Sequence, residues 1–174
     1  QKYWRDSDGS LARSKEIYDP ESNAWYWIDS DGTMAHDKDV YLRSNGGKWV
    51  RYDSNGHMIK GEDFRYGVWY NFDFTTGAMS KGMTYLSNGN KWVYYDKITG
   101  KMQYGEHYIN DGWYYMKPVT GALAKGRTWL DAGKKWVYYD KTSSRMIHGG
   151  AILDGHHYFF DPHTGAQYNK QQII

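Results

Sequence analysis

Aromatic and aliphatic side chains alternate with polar ones in short runs along the chain. A representative run is Trp92-Val93-Tyr94-Tyr95-Asp96, and an Asp-Gly, Asn-Gly or Thr-Gly pair follows most such runs. Alternation over four to eight residues is typical of a half-buried β-strand, and glycine supplies the positive φ that a tight turn needs. Each unit is therefore predicted to be a β-hairpin, with an aromatic strand, a glycine turn and a short second strand that ends, in this example, at Met102.

The runs recur at a fixed spacing. Residues 91–97 and 135–141 share the sequence Lys-Trp-Val-Tyr-Tyr-Asp-Lys, 44 residues apart, and residues 48–53 form a third copy. An alternate unit lies between these copies, so the elementary unit is 21–24 residues long and the full repeat is a pair. Eight units are marked by Gly9, Gly32, Gly56, Gly77, Gly100, Gly121 and Gly165, with Ser144 in the remaining slot. This regularity predicts a single repeat domain over residues 1–174, with no second domain.

The repeat also predicts how the units are held together. An isolated two-stranded hairpin is marginally stable in water, so hairpins of this kind must stack on one another. The predicted fold is therefore an all-β repeat solenoid of about eight short β-hairpins. A second aromatic position is expected to pack between successive hairpins, at Tyr18, Tyr41, Phe64, Tyr85, Tyr108 and Trp129, with Ile152 in the last copy.

Composition indicates an aromatic core and excludes several classes of partner. Aromatic residues make up 18% of the 174 residues, and the 22 basic and 20 acidic residues are scattered along the whole chain. Because no positive groove is indicated, nucleic acid is not an expected partner. The chain has no cysteine, which excludes disulfides and thiolate metal sites. No apolar run approaches the roughly 18 residues of a membrane span, so membrane insertion is not expected, and the first residues do not resemble a signal peptide.

Metal-binding and catalytic motifs are weak. The Asp-Ser-Asp-Gly turns at residues 6–9 and 29–32 resemble calcium loops, but a Trp stands where the first carboxylate ligand belongs and no Glu closes the loop. Asp capping of a turn explains them more simply. His156 and His157 are neighbours on a predicted strand and point to opposite faces, which argues against zinc. Since no catalytic motif is present and the carboxylates recur with the repeat, the chain is expected not to be an enzyme and to need no cofactor or metal.

Two segments, residues 69–79 and 158–166, carry a resemblance to a known family. Their aromatic-Tyr/Phe-Asp run and turn glycine, with the Met two residues later in the first, resemble the cell-wall-binding repeats of choline-binding and glucan-binding proteins, and the resemblance covers essentially the whole chain. It implies a secreted or surface-attached bacterial parent, such as a cell-wall hydrolase, peptidase or glycosyltransferase, whose repeats bind choline on teichoic acids or α-glucans. The choline-binding members place a Trp after the unit-ending glycine. Here residues such as Glu62 and Glu106 take that place, so the sequence leans away from choline.

The candidate ligand site is a set of shallow aromatic grooves between hairpins. Ring faces attract a quaternary ammonium by cation–π interaction, and sugars also stack on Trp and Tyr. The rings expected to form the grooves are Trp49, Trp69, Tyr85, Trp92, Tyr108, Trp113, Trp129 and Trp136, and the methionines expected to line them are Met58, Met79 and Met102. The alternative is that the tryptophans and methionines form the solenoid core, because the chain is poor in aliphatic residues.

The sequence therefore predicts a non-catalytic module that anchors a larger secreted bacterial protein to a cell-wall polymer, a glucan or the choline carried by such a polymer. The alternative is a structural spacer or protein-interaction repeat in which stacking consumes every ring. The sequence leaves open the choice among these ligands and the oligomeric state.

Overall fold

The computed structural model describes residues 2–168 and contains fourteen five-residue β-strands in this part of the chain. The strands are β1 Lys15–Asp19, β2 Ala24–Ile28, β3 Lys38–Leu42, β4 Lys48–Tyr52, β5 Gly61–Arg65, β6 Val68–Phe72, β7 Gly82–Leu86, β8 Lys91–Tyr95, β9 Gly105–Ile109, β10 Gly112–Met116, β11 Gly126–Leu130, β12 Lys135–Tyr139, β13 Gly149–Leu153 and β14 His156–Phe160. One short 3₁₀ helix spans Ser44–Gly46. No helix among the described residues is long and apolar enough to cross a membrane.

Consecutive strands pair to form seven two-stranded sheets, each a β-hairpin. We number these hairpins one (β1–β2) to seven (β13–β14). The prediction of an all-β chain of short hairpins is confirmed. Of the eight units that the sequence predicts, the first, around Gly9, forms two isolated bridges among the described residues, Arg5 to Leu11 and Tyr3 to Thr33.

The hairpins enclose a different turn from the predicted one. In hairpin one the strands pair Tyr18 with Trp25, so they flank the turn that precedes the tryptophan strand. The glycine turn comes after that strand, where the chain makes a single bridge, Ile28 to Met34. The prediction was wrong because both turns of each unit carry Asn, Asp or Gly. Pairing follows the longer stretch of matched residues, which offers five cross-strand pairs instead of one.

The core consists of the inner face of each hairpin and combines aliphatic with aromatic side chains, so the expectation of an aromatic core holds only in part. Val137 and Tyr139 of β12 have no exposed surface, and they form one buried cluster with Ala124, Leu130 and Met146. Equivalent buried side chains in other hairpins include Ile28, Val50, Tyr52, Phe72, Val93, Tyr95, Met116 and Phe160. The tryptophans of the outer face are not part of this core, so the alternative interpretation of them as core residues is wrong.

Arg51 is an exception within the core. Its side chain is fully buried, with Nε 2.6 Å from Oδ1 of Asp39 and Nη1 2.9 Å from Oδ2 of Asp63. The guanidinium also lies 4.1 Å from the centre of the Tyr70 ring. Burial alone lowers the pKa of Arg51, but its hydrogen bonds to Asp39 and Asp63 outweigh that effect and raise the pKa. A charge-paired arginine thus replaces the tyrosine found at the same position in β8 and β12.

The chain divides into two compact units. One comprises described residues up to Gly82 together with Tyr95–Lys101, and the other comprises Met83–Tyr94 together with the described residues from Met102 onward. The expectation of a single repeat domain stays a prediction.

Candidate functional site: aromatic pairs and grooves

Six hairpins carry a pair of aromatic rings on their outer face. The pairs are Tyr18–Trp25, Tyr41–Trp49, Phe64–Trp69, Tyr85–Trp92, Tyr108–Trp113 and Trp129–Trp136. In each pair the ring centroids lie 5.2–5.5 Å apart and the ring planes are inclined by 50–63°. Each pair therefore forms an open corner and not a flat platform.

Strand alternation explains why the rings face outward. Successive side chains of a strand point to opposite faces, so burying Val137 and Tyr139 of β12 directs Trp136 to the other face. The tryptophans of the six pairs keep 38–45% of their surface exposed. Half-exposed indoles that recur on successive hairpins are surfaces that a ligand can reach.

Asparagine in the hairpin turn holds the tyrosine of two pairs. The Tyr85 hydroxyl donates a 2.9 Å hydrogen bond to Oδ1 of Asn90, and the Tyr18 hydroxyl donates to Oδ1 of Asn23. Both asparagines have a positive φ, near 50°, which asparagine tolerates better than most residues. These bonds fix the tyrosine ring relative to its tryptophan partner before any ligand arrives.

A methionine of the following unit lies behind three of the corners. The backbone N–H of Met58 donates to the Trp25 carbonyl oxygen, that of Met79 to Trp49 and that of Met146 to Trp113, each at 2.8 Å. Met58 and Met79 are partly buried. Met102 is only 4% exposed.

The methionine side chains also pack on the glycine of the next turn. A Cβ added at Gly77 would lie 2.4 Å from Sδ of Met58, and one added at Gly121 would lie 2.6 Å from Sδ of Met102. These methionines therefore pack between units. Of the three methionines predicted to line grooves, Met58 lines the first groove, and the lining role of Met79 and Met102 stays a prediction. This contact explains why glycine and methionine recur together.

The first groove is a cavity of about 570 Å³ beside hairpin one. Its aromatic wall is formed by Tyr18, Trp25 and Phe74, with Met58 next to them. Phe74 is 75% exposed. Three rings and a thioether thus surround one space.

Polar groups form the rest of this groove. Asn23, Asp53, His57 and Lys60 line it. The Lys60 ammonium donates a 3.0 Å hydrogen bond to the carbonyl oxygen of Thr75. The groove therefore combines an apolar corner with a rim able to hydrogen-bond.

A second groove of about 420 Å³ lies beside hairpin five. Tyr108 and Trp113 form its aromatic corner, and Met146 takes the place that Met58 has in the first groove. Pro162 and His163 stand where the first groove has Phe74. The two grooves share one architecture but differ in the third wall.

Hairpin six differs because a cation of the chain itself covers its ring pair. The Arg127 guanidinium carbon lies 3.9 Å from the centre of the Trp136 ring. Arg127 Nε donates to Oε1 of Gln167 at 3.1 Å, which holds the guanidinium over the indole. The rings of this chain therefore do engage in cation–π contact.

Aspartates cap the glycine turns around the grooves. Oδ1 of Asp96 accepts hydrogen bonds from the backbone N–H groups of Ile98 and Thr99, at 2.8 and 2.7 Å. These bonds lower the pKa of Asp96, and the same cause lowers the pKa of Asp73, Asp140 and Asp161. The turns suspected of binding calcium are capped in a similar way. Asp8 and Asp31 accept from the side chains of Ser10 and Thr33, and these bonds lower the pKa of both.

The predicted site residues are distributed over these corners. Three corners contain two predicted rings each, namely Tyr85 with Trp92, Tyr108 with Trp113, and Trp129 with Trp136. Trp49 and Trp69 pair instead with Tyr41 and Phe64. The expectation that this second aromatic set packs between successive hairpins was wrong, because its members face the tryptophan across their own hairpin.

Sequence reasoning missed the first groove. Tyr18 and Trp25 occupy the same repeat positions as the predicted pairs, so the repeat register contains the signal for them. Phe74 follows the turn aspartate, where other units have Ser54, Lys97 or Pro118. An aromatic residue at that one turn position is the signal for the third wall.

Known structures match this arrangement of hairpins. A structure of CbpF in complex with ipratropium superposes with a TM-score of 0.80 at 24% identity, over 95% of this chain and 57% of that one. Choline binding protein F from Streptococcus pneumoniae, in a second crystal form, matches with a TM-score of 0.74 at 29% identity, over 92% of this chain and 49% of that one. This chain has the choline-binding-module fold. The choline-binding domain of CbpL from Streptococcus pneumoniae also matches the module, with a TM-score of 0.69 at 22% identity, over 95% of the module and 81% of that chain.

The module spans about half the length of the CbpF chains that it matches. No protein-family model and no curated protein sequence matches it.

Proposed function

We propose that this chain is a non-catalytic module that anchors a larger secreted bacterial protein to a surface polymer. The observation that carries the proposal is the set of six half-exposed ring pairs on the outer faces of successive hairpins. Other residues fill the core, so packing alone does not account for these rings. A structural spacer, in which every aromatic ring is buried by stacking, would not require exposed ring pairs.

The corner geometry favours a compact cation such as the trimethylammonium group of choline. Two inclined ring faces with a third ring in the same groove can contact a roughly spherical cation on several sides, and Tyr18, Trp25 and Phe74 line the first groove together. Each ring contributes about 0.5–2 kcal/mol of cation–π attraction, depending on desolvation. The likeness of the fold to choline-binding modules supports the same ligand class.

A glucan or wall glycan is the second candidate, and the rim of the first groove supports it. Asn23, Asp53 and His57 offer hydrogen-bonding groups beside the rings, as sugar hydroxyls require. In either case the ligand repeats along a polymer. Weak sites that engage the same polymer gain avidity through effective concentration, so a shallow groove is sufficient.

The proposal is tested with this 174-residue chain, by titration with choline chloride, with dextran and with purified cell walls. Intrinsic Trp emission reports small ligands and co-sedimentation reports walls. Trp25→Ala and Trp113→Ala each remove one ring of an open corner. The matched control is Ile152→Ala, because Ile152 is exposed and occupies the pair position on hairpin seven, where it lies opposite His157 and not opposite a tryptophan.

We expect saturable binding of at least one probe, weakened by either tryptophan substitution and unchanged by Ile152→Ala. Choline binding alone selects the teichoic-acid anchor, and dextran binding alone selects the glucan reading. If the folded chain binds none of the three probes, the anchoring function is refuted and the spacer remains.

A further inference from the structure

Hairpin six carries a cation at a position where most other hairpins carry an acid. The position is the second residue of the first strand, and it lies on the same strand face as the first ring of the pair, two residues later. From hairpin one to hairpin seven, the residues at this position are Glu16, Asp39, Glu62, Met83, Glu106, Arg127 and Gly150. An acid beside the rings attracts a cationic ligand group, whereas an arginine there attracts an anionic one.

Gln167 holds the guanidinium of Arg127 in place. Arg127 Nε donates its 3.1 Å hydrogen bond to Oε1 of Gln167 while the guanidinium lies over the Trp136 ring. Gln167 is itself a departure from the repeat, because the other seven units have an apolar residue at this position, namely Leu11, Met34, Met58, Met79, Met102, Leu123 and Met146. The two unusual residues are therefore in direct contact.

The bond through Nε leaves the other edge of the guanidinium available. Arginine has five N–H donors, and the four on Nη1 and Nη2 of Arg127 have no acceptor among the described residues. These four donors lie in one plane. Two of them can bind both oxygens of a carboxylate or of a phosphate group at once.

A groove of about 460 Å³, which we call the third groove, lies beside Arg127. Lys141, Gln167 and Tyr138 also line it. A Cβ added at Gly126 would lie 3.6 Å from Cε of Lys141, so the lysine side chain passes beside the residue that precedes Arg127. Two cations therefore border the same space.

The balance of charge distinguishes the third groove from the other two. Its lining contains two cations and one carboxylate, that of Asp154. The lining of the first groove has Lys60 against Asp53, and that of the second groove has Arg145 against Asp111. With histidine neutral, the third groove carries a net positive charge while the charges of the other two cancel.

We propose that the third groove binds an oxyanion of the surface polymer, a phosphate diester or a carboxylate, through the guanidinium of Arg127 and the ammonium of Lys141. Charge-assisted hydrogen bonds of this kind are about twice as strong as neutral ones. The inference rests on the proposed anchoring function and adds a second kind of contact with the polymer. The ring pairs hold a cation or a sugar, and hairpin six holds an anion.

The test is fluorine NMR of the chain labelled with 5-fluorotryptophan, which gives one signal for each of the nine tryptophans. Trp136→Phe and Trp92→Phe assign the two signals that matter. Sodium dimethyl phosphate and sodium acetate are titrated separately, at an ionic strength held constant with sodium chloride. We expect a saturable shift of the Trp136 signal with at least one of the two anions, because the guanidinium that binds them lies over that ring.

Hairpin four is the internal control. It has Lys97 at the position of Lys141 but Met83 at the position of Arg127. The Trp92 signal should therefore show no saturable shift with either anion. A shift at Trp92 equal to that at Trp136 would mean that Arg127 is not what selects the anion, and would overturn the proposal.

Neutral substitutions remove each cation in turn. Arg127→Gln and Lys141→Gln should each weaken the oxyanion affinity about tenfold, because each removes charge-assisted hydrogen bonds. Arg127→Lys keeps the charge but loses the planar pair of donors, so its affinity should fall between those of the wild type and Arg127→Gln. Lys117→Gln is the matched control, because Lys117 lies exposed in a turn and does not line the third groove.

Arg127→Glu reverses the charge and restores the acid that Glu62 and Glu106 supply in hairpins three and five. The Trp136 signal should then lose its response to both anions. Choline chloride should shift it at least fivefold more than in the wild type. An unchanged preference for anions in this variant would contradict the proposal.

The outcomes separate the oxyanion site from the anchoring function. A larger response to dimethyl phosphate identifies a phosphate of the polymer as the source, and a larger response to acetate identifies a carboxylate. No saturable response at Trp136, or one that Arg127→Gln leaves unchanged, overturns the inference, while binding of choline, dextran or walls at Trp25 and Trp113 keeps the function. An oxyanion response without binding of those three probes supports the site and refutes the role of the ring pairs.

Discussion

In most units a methionine packs on the glycine of the next turn. In one unit Leu123 stands at the methionine position, and Ser144 stands at the glycine position of the turn that follows it. A Cβ added to Gly77, Gly100, Gly121 or Gly165 would lie 2.4–2.6 Å from Sδ of the methionine that packs on it. Heavy atoms in contact normally lie about 3.5–4.0 Å apart. Because Ser144 has a Cβ, the shorter reach of Leu123 is expected to be what allows serine in that turn.

The two substitutions therefore have coupled effects on stability. Leu-to-Met exchange in a core usually costs less than about 1.5 kcal/mol, whereas an overpacked site costs about 1–3 kcal/mol. We expect L123M to destabilise the protein by about 2 kcal/mol. Ser144 has a φ of 67°, where a non-glycine residue costs about 1–2 kcal/mol, so S144G relieves this strain and also makes room for methionine. In the presence of S144G, L123M should cost less than about 0.5 kcal/mol.

Equilibrium urea unfolding of the wild type, both single variants and the double variant measures the coupling free energy. The control is M146L, in which leucine faces Gly165 and no clash arises. A cost of L123M that is the same with and without S144G would contradict the packing argument, because independent sites add to within about 0.3–0.5 kcal/mol.

Three further substitutions probe other features. Arg51→Met leaves the carboxylates of Asp39 and Asp63 without their buried partner, and we expect a loss of about 2–3 kcal/mol that persists in 1 M salt; a urea-unfolding loss below 1 kcal/mol contradicts this. Tyr139→Phe removes a buried hydroxyl with no hydrogen-bond partner among the described residues and should raise stability by about 1 kcal/mol; destabilisation in the same assay counts against it. Backbone hydrogen bonds lower the pKa of Asp140, so the ionised carboxylate stabilises the fold above the ordinary aspartate pKa, and this stabilisation is lost as the pH falls through the lower pKa of the folded state. The Tm should therefore decline below about pH 4, and Asp140→Asn should make that decline shallower.

The repeat was readable from the sequence because its signal is periodic. The alternation in Trp92-Val93-Tyr94-Tyr95 places Trp92 and Val93 on opposite faces of a strand, and the structure confirms this. Alternation does not say which face is inside. Both faces of the strand carry large side chains that could fill the core. The face with Val93 and Tyr95 is buried, and the face with Trp92 stays half exposed.

Interactions between particular side chains of different strands were not readable in the same way. The burial of Arg51 depends on Asp39, its cross-strand partner in hairpin two, and on Asp63 in the next hairpin, each 12 residues away. The third wall of the first groove depends on Phe74, which belongs to a later turn than the Trp25 strand. Comparison of the copies flags both residues as departures from the repeat, but only the folded chain shows what they contact.

Hydrogen bonds from five residues that follow the glycine turns to an earlier tryptophan carbonyl limit the order in which the protein can assemble. In the bonds of Met58, Met79, Leu123, Met146 and Gln167 the two partners are separated by 30 to 33 residues. Contacts of short sequence separation form quickly, since little chain has to be brought together. Each of these tryptophan carbonyls can therefore be bonded once the next hairpin and its glycine turn have been synthesised, without waiting for the C-terminus, and a gene that gains or loses whole 44-residue pairs preserves both the bonding pattern and the alternation of units.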